Sequence, residues 1–103
     1  MLDVVDEHSQ LCRAIRSRTL LEFDYDGKPR IVAPYCHGVT SKNVEVLRAI
    51  QVGGASRSGG FGFGKLWHVA KMQNVRNTSE RFVPTDPNYN PDDRVMSWVH
   101  CCV

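Results

Sequence analysis

The sequence predicts one mainly β domain of the α+β class, in which an N-terminal helix precedes a small antiparallel barrel of five strands. The spacing of apolar residues changes from a helical period to a period of two near residue 20. An Asp-Gly pair at 26–27 then separates two such segments, which is a strong hairpin signal. Sheets of short antiparallel strands often remove their open edges by curling closed. A length of 103 residues suits a single domain, which we expect to span 1–103.

Residues 3–17 form the predicted helix, because apolar side chains recur there every three or four positions. The residues on this face are Val4, Val5, His8, Leu11, Cys12 and Ile15. Arg13, Arg16 and Arg18 lie toward the C-terminal end, where cations interact favourably with the helix dipole. We therefore interpret these three arginines as solvated helix-end cations.

The first hairpin is predicted from strands at about 20–25 and 28–38, joined by the Asp-Gly turn. The second of these strands contains Pro29 and Pro34. Because proline has no backbone N–H to donate to a neighbouring strand, this strand should lie at an edge or be bent.

The third strand, at about 44–52, carries apolar residues on both faces and should therefore be central. Arg48 is the one charged residue on a face that is otherwise apolar. A buried charge is costly unless it is paired, so we expect Arg48 at the mouth of the barrel or against a partner.

The remainder of the chain is predicted as a glycine-rich loop at 53–64, a strand at 65–75, a polar connection at 77–90 and a last strand at 94–103. The loop is permissive because glycine adopts backbone conformations that other residues avoid.

Aromatic residues supply much of the predicted core, since their rings dominate the cores of small domains. Trp67 and Trp98 are both expected there. Phe82 and Tyr89 should pin the polar connection to the body of the domain.

Charge and hydropathy limit the classes of partner. The formal net charge of +2 is weaker than a dedicated duplex-DNA binder usually has. No apolar stretch approaches the roughly 20 residues needed to span a bilayer. The first seven residues contain three acids, unlike a signal peptide. We expect a cytoplasmic protein without a membrane partner.

The four cysteines are Cys12, Cys36, Cys101 and Cys102, and in a reducing compartment they should all be thiols. Adjacent residues of a strand point to opposite faces, so Cys101 and Cys102 are not expected to share a site. A zinc site made of Cys36, His37, His100 and Cys101 is an alternative, but the chain has no CxxC pair to support it. We predict no metal and no cofactor.

The order of motifs resembles the WYL domain family over residues 8–75. The segments that carry the resemblance are AIRSR (14–18), LEFDY (21–25), RIVAPY (30–35), VLRAIQ (46–51) and WHVAKM (67–72). Of the Trp-Tyr-Leu motif that names the family, only the leucine is kept, at Leu47. The resemblance implies an Sm-like, SH3-type β-barrel. It also implies ligand sensing in bacterial transcription regulators, with nucleotides or single-stranded nucleic acid among the ligands.

Polar and aromatic residues at strand positions form the predicted ligand-binding groove. Arginine forks suit phosphate or carboxylate, and aromatic rings can stack on bases. The structural alternative is that Arg30 and Arg48 pair across strands with Glu22, Asp24 or Glu45. The predicted ligand-binding residues on strands are Arg30, Tyr35, His37, Arg48, Gln51, Lys65, Trp67 and His68. Arg57 is added from the glycine-rich loop, which could close over a ligand or be simply a solvated loop.

The predicted function is a non-catalytic, regulatory ligand-binding domain. Its ligand would be a nucleotide, a short single-stranded nucleic acid or another anionic molecule. The alternative is a protein-interaction module that docks on a partner or forms a homo-oligomer through exposed strand edges. No nucleophile stands beside a base in a usable geometry, so we do not expect an enzyme.

Overall fold

The computed structural model of the protein describes residues 7–54, 65–85 and 94–103. Within them, one helix precedes an antiparallel sheet of six strands, so the predicted mainly β class is confirmed. No helix of these segments is long and apolar enough to cross a membrane. The elements are α1 (Glu7–Ser17), β1 (Thr19–Tyr25), β2 (Lys28–Thr40), β3 (Glu45–Gly54), β4 (Lys65–His68), a 3₁₀ helix (Val69–Lys71), β5 (Gln73–Arg81) and β6 (Met96–Cys102).

The strands pair in the order β4-β3-β2-β1-β5, and β6 also pairs with β2. The β1–β2 hairpin turns at Asp26 and Gly27, whose φ angles of 54° and 75° are the left-handed values that an Asp-Gly turn supplies. β4 and β5 lie at opposite ends of this order and do not pair with each other. In the part of the chain that the structure describes, the sheet is therefore open, and a closed barrel is not formed by strand pairing.

β2 is central, which corrects the expectation of an edge strand, and it tolerates proline for a local reason. Its pairing with β1 ends at Val32, and its pairing with β6 begins at Cys36. Pro34 lies in the gap between these two partners, so its missing N–H costs no bond on that side. The β2–β3 register also shifts between Pro34 and Cys36, as expected for a strand that bends there.

The predicted strand at 65–75 is wrong as one element. It is two strands, β4 and β5, separated by the 3₁₀ helix. β5 also continues to Arg81, into the segment expected to be a polar connection. Nearly all side chains of β5 are exposed or polar, because the strand lies at the end of the sheet beside β1. An edge strand of this kind lacks the alternation of apolar residues that identifies strands in a sequence.

The core lies on both faces of the sheet. α1 covers one face with Leu11, Ala14 and Ile15, which are completely buried. Their neighbours on the strands include Leu21, Phe23, Val32, Leu47, Ala49 and Trp67. Two smaller clusters occupy the other face, one around Leu20, Ala33 and Tyr35 and one around Cys36, Val46 and Met96.

The predictions that Phe82 and Trp98 pack against the core have different outcomes. Phe82 packs against the cluster that contains Tyr35, with ring centroids 5.7 Å apart, as expected of a residue that pins its segment. Trp98, by contrast, is 66% exposed on β6 and does not belong to the core. Tyr89 lies outside the described residues.

The expectation of four free thiols is wrong, because all four cysteines form disulfides. One bond joins Cys12 of α1 to Cys101, and the other joins Cys36 of β2 to Cys102. The alternation of side chains along β6 directs the two adjacent cysteines to opposite faces, so each has its own partner. Cys36 and Cys101 of the alternative zinc set are bonded to different partners.

Candidate anion-binding site

Most of the predicted ligand-binding residues do not line an open groove. Five of them are at most 4% exposed, and each has a place in the packed interior. A side chain with so little exposed surface is not accessible to a ligand in this structure. The five are Arg30, Tyr35, His37, Gln51 and Trp67.

Arg30 is held beside Trp67 and donates to the backbone. Its Nη2 donates to the carbonyl oxygen of Tyr25 at 3.3 Å, and its guanidinium carbon lies 5.7 Å from the centre of the Trp67 ring. The ammonium of Lys65 lies 5.6 Å from the same ring. Both distances are within the range of cation–π attraction. We call this group of three residues the tryptophan corner.

Trp67 belongs to the core, as predicted. Its ring makes edge-to-face contacts with Phe23 and Tyr25, at centroid distances of 5.3 and 4.9 Å. Its indole N–H donates to the carbonyl oxygen of Ala49 at 3.3 Å. Gln51 has a similar structural role nearby, since its amide donates to the carbonyl oxygen of Gly53 at 3.0 Å.

His37 contacts Glu45, which the sequence also presents as a possible cross-strand partner of Arg30 or Arg48. Its Nε2 lies 2.6 Å from Oε2 of Glu45. Its Nδ1 faces Sγ of Cys12 at 3.8 Å, and its ring lies 4.9 Å from that of His100. Among the other carboxylates predicted for cross-strand pairing, Glu22 pairs with Arg76 and Asp24 accepts from Asn74.

The remaining predicted residues are more accessible but are not gathered together. Arg48 is half-buried, and Lys65 and His68 are exposed. His68 lines a pocket of about 370 Å³ in which Lys42 and Arg94 are further cationic groups. Arg57 lies outside the described residues, as does the glycine-rich loop beyond Gly54.

A different pocket, of about 450 Å³, brings three arginines together. We call it the arginine pocket. Two arginines come from the end of α1, and the third comes from the end of β5. The lining residues are Arg16, Ser17, Arg18, Arg81, Phe82 and Val83.

Backbone pairing brings these distant segments together. Thr19 at the start of β1 pairs with Arg81 at the end of β5. One residue further along, the N–H of Phe82 donates to the carbonyl oxygen of Arg18 at 2.9 Å. The end of α1 and the end of β5 are therefore joined by backbone contacts at Arg18 and Arg81.

Arg18 makes the change of direction from helix to strand. Its φ of 55° is in the left-handed region that commonly ends a helix. Its N–H still donates to the carbonyl oxygen of Ile15 at 3.2 Å, which closes the last turn. Arg16 and Arg18 consequently stand on either side of Ser17, the last residue of α1.

Within the described residues, no acidic side chain pairs with the cations of the pocket. Arg16, Arg18 and Arg81 are all exposed. No carboxylate of residues 7–54, 65–85 or 94–103 forms an ion pair with any of them, whereas Arg76 of β5 pairs with Glu22 at 3.4 Å. Three cations in one concave site attract anions and repel each other. The helix dipole accounts for Arg16 and Arg18, but it gives no reason for Arg81 to join them.

Similarity to known proteins adds nothing to this geometry. No protein-family model, no curated protein and no solved structure matches the chain. The interpretation of the arginine pocket therefore depends on its own residues.

Two of the three pocket arginines, Arg16 and Arg18, are predicted from the sequence to be solvated helix-end cations rather than ligand-binding residues. Arg16 and Arg18 fitted the ordinary pattern of a helix end. Arg81 lay in a segment predicted to be a connection, so nothing in the sequence placed it beside α1. The missing signal was the pairing of β5 with β1, which depends on backbone contacts rather than on the identity of the side chains.

Proposed function

We propose that this protein is a non-catalytic module that binds an anionic ligand in the arginine pocket. The observation that carries the proposal is the convergence of Arg16, Arg18 and Arg81 on one pocket without a carboxylate partner among the described residues. The volume of about 450 Å³ is within the roughly 300–1,000 Å³ that is usual for small-molecule sites. Guanidinium groups present paired donors that match the oxygens of phosphate and carboxylate.

A nucleotide, or the phosphate end of a short single strand, fits the pocket best. The half-buried ring of Phe82 forms part of its wall and is supported from behind by Tyr35. An aromatic wall beside cations is the combination by which proteins bind single-stranded nucleic acid, through stacking and phosphate contacts. The WYL resemblance implies the same class of ligand. The Sm-like barrel that it also implies stays a proposal, since the described strands form an open sheet.

Calorimetric titration tests the proposal with three probes: inorganic phosphate, adenosine monophosphate and a short oligothymidylate. We expect the nucleotide to bind more tightly than phosphate. Arg81→Ala should weaken nucleotide binding at least tenfold, because it removes one of three converging guanidinium groups.

Arg76→Ala is the matched control for this titration. It removes an exposed arginine of the same strand, but one that is paired with Glu22 outside the pocket. Its affinity should equal that of the wild type. The proposal fails if none of the three probes binds, or if Arg76→Ala and Arg81→Ala weaken binding equally.

A second candidate function is self-association through β6. This strand pairs with β2. Two of its apolar side chains, Trp98 at 66% and Val99 at 42%, are exposed, as is Val95 just before it at 42%. An edge strand with apolar side chains is a template for pairing with another chain. A second copy of this protein supplies the same strand and is the partner we propose.

Sedimentation equilibrium distinguishes this candidate. The wild type should be a dimer whose mass falls to that of a monomer in Trp98→Lys, because a charge cannot be buried cheaply in an apolar interface. A wild type that is monomeric at all concentrations would rule out self-association, and anion binding would be unaffected.

A cytoplasmic location, as the sequence predicts, remains a proposal that needs its own test. The two disulfides favour an oxidising compartment instead. Disulfides persist in oxidising compartments, and the cytosol keeps most thiols reduced. Alkylation of free thiols in intact cells would decide the location. Modification of all four cysteines would indicate a reducing compartment, and modification of no cysteine would indicate an oxidising one.

A further inference from the structure

Three potential metal ligands meet in the interior, at a place that the anion-binding proposal does not use. They are Cys12 of α1, His37 of β2 and Cys101 of β6, and all three are buried. Their ligand atoms lie within 4.8 Å of one another. In the oxidised protein the two sulfur atoms are bonded to each other, so only the imidazole can act as a ligand.

The orientation of His37 is that of a metal ligand. A carboxylate oxygen accepts hydrogen bonds, so in the neutral imidazole the contact of Nε2 with Oε2 of Glu45 at 2.6 Å assigns the ring proton to Nε2. Nδ1 then directs its lone pair toward Sγ of Cys12, 3.8 Å away. Metal-binding histidines characteristically donate their other ring N–H to a carboxylate in this way.

We propose that reduction of the Cys12–Cys101 disulfide creates a zinc site from Cys12, His37 and Cys101. A cellular dithiol would transfer two electrons and two protons to the S–S bond, and it would become a disulfide itself. Zn²⁺ then displaces the two thiol protons and forms two bonds to sulfur and one to Nδ1. Paired thiolates and an imidazole select zinc over magnesium or calcium.

The site has a candidate for its fourth ligand. Zinc in structural sites is tetrahedral, so three protein ligands leave one position. The ring of His100, on the same strand as Cys101, lies 4.9 Å from that of His37 between centroids. Disulfide and metal would then be alternative links between α1 and β6, because each joins Cys12 to Cys101.

The second disulfide provides an internal control. Cys36 and Cys102 pair on the other face of β6, and they belong to no group of three potential ligands within the described residues. Reduction of that bond should therefore give two thiols without a metal site.

Cobalt(II) is a suitable probe because it replaces zinc and absorbs light when thiolates coordinate it. The full chain is reduced, freed of reductant without air, and titrated with Co²⁺ in parallel with the oxidised chain. We expect the reduced protein to take up one Co²⁺ with a sulfur-to-cobalt absorption band, and the oxidised protein to take up none. Reduced protein that binds no Co²⁺, whether it is folded or not, overturns the proposal.

Three variants assign the ligands in the reduced state. Cys36→Ser/Cys102→Ser should bind Co²⁺ as the wild type does, whereas Cys12→Ser/Cys101→Ser should lose the absorption band. Glu45→Gln should keep the band but bind about tenfold more weakly, because it alters the partner that orients His37. Binding that survives in Cys12→Ser/Cys101→Ser, or that is lost only in Cys36→Ser/Cys102→Ser, contradicts the assignment. Circular dichroism of each variant, with and without the metal, reports whether metal uptake accompanies folding.

Discussion

The tryptophan corner and the arginine pocket both combine cations with an aromatic ring, yet they have opposite physical roles. In the corner, Arg30 is 3% exposed and packs beside Trp67, itself 3% exposed. In the pocket, Arg16, Arg18 and Arg81 are exposed beside a half-buried ring. The first group stabilises the fold, and the second is available to a ligand. Burial and the presence of a partner determine what an arginine does, and residue type alone does not.

The largest effect that would test this comparison is on stability in the corner. Trp67→Ala should lower the free energy of unfolding by about 3–5 kcal/mol, because it leaves a cavity among Phe23 and Tyr25. Urea denaturation with the disulfides intact measures the change. Trp98→Ala is the control, since an exposed side chain should change stability by no more than about 0.5 kcal/mol. Equal losses in the two variants would contradict the placement of Trp67 in the core.

A pair of arginine variants separates the two regions directly. Arg30→Ala should cost about 1–3 kcal/mol of stability, because it removes packing on Trp67 and a donor to the Tyr25 carbonyl. It should leave the affinity for adenosine monophosphate unchanged. Arg81→Ala should do the reverse, with stability changed by no more than about 0.5 kcal/mol. Loss of nucleotide affinity in Arg30→Ala would place the ligand in the corner instead.

The dependence of binding on salt sharpens the comparison further. We assume that each of the three pocket arginines neutralises one phosphate of an oligothymidylate. A plot of the logarithm of the binding constant against the logarithm of the salt concentration should then have a slope of about −2. Arg81→Ala should reduce the magnitude of the slope by about 0.7, and Arg30→Ala should not change it. A slope near zero for the wild type would show that the oligothymidylate binds through apolar contacts.

A further small effect concerns the backbone of Arg18, beside the pocket. Arg18 has a φ of 55°, a region that costs a side-chain-bearing residue about 1–2 kcal/mol and glycine nothing. Arg18→Gly should therefore change stability by less than about 1 kcal/mol, since the relief is offset by the greater freedom of glycine in the unfolded chain. Nucleotide affinity should nevertheless fall, because one guanidinium is lost. A stability loss well above that value would mean that the Arg18 side chain supports the fold.

The parts of the fold that were predictable are those specified by local chemistry. The Asp26-Gly27 pair fixed the first hairpin, and the two apolar faces of β3 indicated a central strand. β5 could not be predicted, because a strand at the end of a sheet needs no apolar alternation. The disulfides could not be predicted either, since which cysteines pair depends on how α1 and β2 lie against β6.

The candidate site was predictable only in its chemistry. The sequence predicts an anionic ligand bound by arginines, but Arg30, one of the predicted arginines, is buried in the structure. The three arginines that do share a pocket come from two segments more than sixty residues apart, and only the pairing of β1 with β5 brings them together. Long-range backbone pairing of this kind leaves no mark on a single sequence.

The most direct test of the central claim observes the arginine side chains while a ligand is added. In a nitrogen-15 NMR titration of the full chain with adenosine monophosphate, the side-chain Nε–H signals of Arg16, Arg18 and Arg81 should shift together with one affinity. The signal of Arg30 should not move. Shifts confined to Arg30, or absent from all arginines at saturating nucleotide, would contradict the account.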